Sequence, residues 1–192
     1  MSTQDKPRSS KADATVQKIL KASLDRVIQH GESGLSMTDI SRDLGISRPT
    51  IYRYFPSREA LLEGVFVYIV DDYFNQLQEQ IALRPQAEKR ADVIIDFAVA
   101  RLKDGGAQLF QLEPKLVVGL LRQSEARLLA GCKLVFEPIF DMADSLSGRK
   151  IDRATAARTF MLFSSALAFF NADTDIESAE SMLRLVVQGL VS

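Results

Sequence analysis

Tryptophan is absent from this 192-residue chain, and cysteine and histidine occur once each, as Cys132 and His30. A lone cysteine cannot close a disulfide within the chain or build a cysteine zinc site. The longest apolar stretch, Phe160 to Phe170, is interrupted by Ser164 and Ser165 and is too short to span a bilayer. The opening MSTQDKPRSSK is polar and has no apolar region of the kind a signal peptide needs. Together these absences predict a reducing, cytoplasmic setting and no membrane span. Catalytic signatures are missing as well: there is no Walker loop, no GxSxG, no HExxH and no dinucleotide glycine pattern. His30 sits just before Gly31, where a histidine meets the negative end of a helix. Asp71-Asp72 and Asp92/Asp96 read as solvated helix faces, and Cys132, flanked by apolar positions, as a small core residue. The expectation is no catalytic residue, no metal and no cofactor.

What is present is apolar surface and asymmetric charge. Apolar residues make up 46% of the chain, enough for a sizeable core, and the net charge is only −1. That near-neutrality hides two unlike parts. Residues 1–58 hold ten Lys/Arg against six Asp/Glu, whereas residues 59–192 hold fourteen against nineteen. A basic N-terminal part is a weak pointer to nucleic acid on its own, since a four-charge excess also suits a solvated face.

Residues 1–11 are polar and charged and are expected to form a disordered arm. From Ala12 to His30, Val16, Ile19, Leu20, Leu24, Val27 and Ile28 recur at helical spacing, and Gly31 stops the helix. Ser36 with Asp39 three positions on is an N-cap pattern for a short helix that Gly45 ends. Ser47 caps the next helix, with Arg48 and Pro49 in its first turn. Phe55-Pro56 breaks it and Ser57 caps a long apolar helix reaching Ile81. Further helices are expected at about 87–103, 108–123, 125–146, 151–170 and 176–190, and no alternating strand pattern occurs. The chain reads as all-α, with an arm at 1–11, a helix-turn-helix domain at 12–57 and a larger helical domain at 58–192.

The stretch SMTDISRDLGISRPTIYRYFPSREALL is the most informative. Around Gly45, the residues Ile40, Leu44, Ile46, Ile51 and Tyr54 are spaced to close a small core between two helices crossing at a tight turn. Ser41 is small enough to let them approach. Arg48, Thr50, Tyr52 and Arg53 are left outside that core, on the helix that such a motif lays in the major groove. Arginine can pair with guanine O6 and N7, and Thr and Tyr hydroxyls can reach phosphate. Ser36, Ser47 and Ser57 stand at helix N-termini, which attract phosphate, with Arg58 beside the last. The plain alternative is that the tyrosines are core and the arginines are surface charge. For Tyr54 that alternative stays open, because its spacing points its ring toward the core.

ILKASLDRVIQHG followed by MTDISRDLGISRPTIYRYFPSREALL, over about Val16 to Val70, resembles the TetR family of bacterial transcription regulators. Val27 and Ser41 depart from that family's usual phenylalanine and alanine. The resemblance implies base contacts from Arg48, Thr50, Tyr52 and Arg53. It implies phosphate contacts from Ser36, Ser47, Tyr54 and Arg58. It implies a repressor released from double-stranded operator DNA by a small-molecule effector. Helices 151–170 and 176–190, with the small-residue segment TFMLFSSALAFF, are the expected homodimer interface; burial within one chain is the alternative. Phe66, Tyr73, Phe97, Phe110, Leu120, Phe136 and Phe140 are candidate effector walls, each of which reads as plain core before it reads as a ligand contact. A DNA-bound adaptor with a protein partner and no effector is a second reading, and an α-helical enzyme a third.

Overall fold

A computed structural model describes residues 6–86, 89–103, 114–148, 150–170 and 176–191. Among them every regular element is helical. In chain order these are α1 (Lys6–His30), a 3-10 turn (Glu32–Gly34), α2 (Met37–Leu44), α3 (Arg48–Tyr54), α4 (Arg58–Leu83) and α5 (Arg90–Arg101). They continue with α6 (Pro114–Gln123), α7 (Glu125–Ser147), α8 (Arg153–Phe170) and α9 (Ile176–Val191). None of these helices is long and apolar enough to cross a membrane. The packing divides the chain into two units, Met1–Ile69 and Val70–Ser192.

Two boundaries differ from those expected. The first helix begins at Lys6, inside the segment expected to be a disordered arm. Extending a formed helix costs little per added residue, and Pro7 lies in the first turn, where its missing N–H is no loss. The first unit also runs past position 57, because the start of α4 packs into it. Leu61 and Val65 are fully buried, and Gly64 lies against the Phe55 ring and Leu20.

In the first unit, α1 buries Ile19, Leu20 and Val27, α2 buries Met37 and Ile40, and α3 buries Ile51. Ser23 is buried among them, and its hydroxyl donates to the Ile19 carbonyl at 2.7 Å. A guanidinium ties α1 to α2: Arg26 Nε donates to Asp43 at 2.7 Å and Nη1 to Asp39 at 3.5 Å. The hydrogen bond from Arg26 holds the Asp43 carboxyl below its usual range. Gly45 takes φ 63° and ψ 27°, the left-handed conformation that closes α2. Its N–H and that of Ile46 reach back to the carbonyls of Arg42 and Ser41. Gly45→Ala is expected to cost about 1–2 kcal/mol in urea unfolding, the strain of an L side chain in that conformation. No neighbouring atom would clash with the added carbon, so backbone strain is the cost in the folded state.

The second unit is built around a core drawn from α4, α5, α7, α8 and α9, including Phe74, Ile94, Phe136, Phe140, Phe160 and Leu183. α7 and α8 are joined by Arg153, which donates to Glu137, Asp141 and Asp144 at 2.9, 2.7 and 3.0 Å. α9 is fastened to α5 by Arg184, which bridges Asp92 and Glu180. Gly131 of α7 allows the closest approach: a Cβ there would fall 2.3–2.5 Å from three atoms of the buried Phe74 ring.

Candidate nucleic-acid interface

The candidate recognition helix, α3, is only seven residues long, so its ends matter. Ser47 is in an extended conformation, and its Oγ accepts the Thr50 N–H at 3.3 Å. Pro49 occupies the first turn without loss. Ile51 is fully buried and anchors α3 to the first unit, and Phe55, also buried, closes its far end. One face is thereby committed inward. Arg48, Pro49, Tyr52 and Arg53 remain exposed. Arg48 and Tyr52 lie one turn apart, and Pro49 and Arg53 follow one position on. Tyr52 is 49% exposed, high for an aromatic residue.

Within this face the side chains are partly organised. The Thr50 hydroxyl lies 2.8 Å from the Ser47 hydroxyl. Arg53 Nη2 donates to the Tyr54 hydroxyl at 3.2 Å, and its guanidinium stands 4.9 Å over the Tyr54 ring. A cation held on an aromatic face loses less freedom when it engages a ligand. Tyr54 is half-buried, with its hydroxyl within reach of Arg53. Ser36 caps α2 by accepting the Asp39 N–H at 3.3 Å.

Arg58 is placed otherwise than the sequence suggests. All three of its nitrogens are engaged within the protein, with Glu32 and Leu35. The partner Glu32 lies 26 positions away, and no local pattern marks it. Ser41 also does more than leave room: its hydroxyl donates to the Ile46 carbonyl at 2.6 Å and ties α2 to the turn.

The candidate effector walls are scattered. Phe66 is buried in the first unit. Phe136 and Phe140 are stacked and wholly buried in the second unit's core. Tyr73 and Phe97 pack edge to face at 5.0 Å and are only partly buried. Burial pushes the Tyr73 hydroxyl above its ordinary range and pushes the Cys132 thiol up to about 12. A thiol so displaced is protonated near neutrality and is a poor nucleophile. Phe110 and the side chain of Leu120 lie outside the described residues. Among the described residues no group of His, Cys, Asp and Glu could hold a metal ion.

Residues 19–65 match the sequence profile described as bacterial regulatory proteins, tetR family. Over 58 residues the chain is 43% identical to the HTH-type transcriptional regulator EthR of Mycobacterium tuberculosis, an overlap of 30% of this chain and 24% of EthR. The chain thus spans about a quarter of the length of that curated relative. The fold extends much further. A TetR-family regulator from Mesorhizobium loti superposes with a TM-score of 0.66 at 16% identity, over 94% of this chain and 96% of that one. Thermus thermophilus FadR, a TetR-family transcriptional repressor solved with lauroyl-CoA, superposes with a TM-score of 0.55 at 16% identity, over 91% and 94%. Residues 19–65 of this chain are thus similar to the helix-turn-helix segment of tetR-family regulatory proteins, and its all-helical fold is shared with solved regulators of that family.

Proposed function

We propose that the chain is a transcriptional repressor that binds a two-fold operator as a homodimer through α3 and leaves it when a small molecule occupies the second unit. The observation that carries this reading is the face of α3. Ser47 and Ile51 fix the helix and leave Arg48, Tyr52 and Arg53 outside, beside Pro49. That composition suits base edges and phosphates in a major groove. One seven-residue helix reads too few bases for an operator, and a two-fold pair sets two such helices one DNA turn apart. α8 and α9 supply the proposed interface. Each buries one face in the second unit and leaves Leu162, or Met182 and Leu185, outside.

The effector site is proposed at the edge of the second core by Tyr73 and Phe97, the expected walls that keep free surface. The lauroyl-CoA held by FadR supports a small molecule as the effector of this fold. α4 gives its first turns to one unit and its later turns to the other. A ligand that prefers one setting of α4 would oppose DNA by a coupling energy of typically about 1–3 kcal/mol. A soluble, cytoplasmic regulator without catalytic activity is part of the same proposal.

The test is selection from a random double-stranded DNA library, followed by fluorescence anisotropy against scrambled competitor. Tight, saturable binding to one palindromic sequence is expected. Arg53→Ala should lower affinity for that sequence by about 1–3 kcal/mol and relax preference at one position of each half-site. An Arg53→Ala protein that folds normally and binds unchanged would remove Arg53 from the base-reading set.

A further inference from the structure

We infer that Arg58 is a positioning residue, which locks the turn between α1 and α2 to the first turn of α4 and so sets the angle of α3. It is not a phosphate ligand. The inference rests on DNA binding through α3. Arg58 Nε donates to the Leu35 carbonyl at 3.1 Å, Nη1 to the Glu32 carboxylate at 3.4 Å, and Nη2 to the Glu32 carbonyl. The Glu32 carbonyl also accepts the Leu35 N–H at 3.1 Å, which closes the 3-10 turn. The guanidinium therefore completes the turn from outside while its charge meets Glu32.

The arginine is itself held. Ser57 caps α4 by accepting the Ala60 N–H at 3.1 Å, which fixes the first turn where Arg58 stands. Its two backbone targets both lie just before the entry to α2. Leu35 is fully buried, and the next residue, Ser36, is the cap of α2. α2 then carries Ile40 into the core and, through the Ser41 hydroxyl on the Ile46 carbonyl, fixes the turn into α3. Every link from Arg58 to the recognition helix is thus a hydrogen bond or a buried side chain. A guanidinium suits this place because it can fork across three acceptors in one plane. A lysine carries the same charge but cannot.

The two roles separate experimentally. A phosphate ligand adds about 0.9 to the slope of log affinity against log salt, and a lysine keeps most of that contribution. A positioning fork adds nothing to the slope, and a lysine does not replace it. Wild type, Arg58→Lys, Arg58→Gln and, as a control, Arg48→Gln are titrated over a salt series on DNA selected by the wild-type protein. Both Arg58 variants are expected to bind about tenfold more weakly with the wild-type slope, given the usual strength of hydrogen bonds to a charged group. Arg48→Gln should flatten the slope. Hydrogen exchange on the free proteins should show faster exchange at residues 37–44 in both Arg58 variants and no change in α8 and α9. Wild-type affinity in Arg58→Lys with a slope flattened by about 0.9 in Arg58→Gln overturns the inference. Unchanged exchange in α2 overturns it equally. If the wild-type protein selects no DNA, it is the α3 reading that fails, and exchange alone then decides the role of Arg58.

Discussion

Leu185→Arg is expected to convert the proposed homodimer to monomers and to weaken binding to a two-half-site operator by about 10²-fold or more. Leu183 and Val187 of α9 are buried in the second unit, and Leu185 between them points the other way, 68% exposed. Leu162 does the same on α8, 58% exposed between the buried Met161 and the core residues that follow. Exposed leucines occur singly on many proteins. Here they fall on the two helices that the sequence offers as an interface, beside the small residues Ser165, Ala166 and Gly189. An arginine at the centre of a two-fold contact faces its own copy, so both an apolar contact and charge balance are lost. The monomer should keep its fold, because nothing in its own core touches that side chain's outer face. Each monomer still reads a half-site, but the second contact is no longer intramolecular, and linked contacts typically supply about 10²–10⁴ in affinity. Sedimentation gives the mass, and anisotropy on full and half operators gives the rest. Leu185→Arg that remains dimeric and binds the full operator normally would move the interface elsewhere.

The sequence was most legible where a local rule and a packing demand agree. Ser36, Gly45 and Ser47 each announce a helix end, and each does so in the structure. Ile40 and Ile51, chosen by spacing around Gly45, are wholly buried, whereas Leu44, Ile46 and Tyr54 are only partly so. A motif of two short helices can bury little beyond its crossing point, which accounts for that gradient. Legibility fell where partners are distant. Nothing near Arg58 points to Glu32, and a basic residue at a helix N-terminus beside a recognition helix suggests phosphate until the fold brings the 3-10 turn beneath it. The effector walls are a different case. Aromatic residues at helical spacing mark a buried face but cannot say whether that face meets protein or a ligand. The fold divides them: Phe66 goes to one unit, Phe136 and Phe140 to the centre of the other, and Tyr73 and Phe97 to its edge.

That division makes Phe136→Ala one of the costliest single changes expected, at about 3–5 kcal/mol. Phe136 has no exposed surface. Its ring stacks on Phe140 with centroids 5.7 Å apart and meets Phe160 edge-on at 4.7 Å. Truncation removes the transfer energy of a whole ring and leaves two aromatic partners facing a void that helices α7 and α8, held by the Arg153 fork, cannot readily close. Alanine's better helix propensity returns only a fraction of this. A domain of ordinary stability has about 5–15 kcal/mol in total, so the variant should unfold at far lower urea. Phe97→Ala is the matched control. Its ring is partly exposed, so less surface leaves water on folding, and the loss should be clearly smaller. Denaturation at one fixed protein concentration keeps any effect of the proposed association the same in all variants. If the two substitutions cost the same, Phe136 borders a cavity that the folded chain leaves open, and it returns to the list of effector walls. If Phe136→Ala alone collapses stability, the effector search narrows to the edge held by Tyr73 and Phe97.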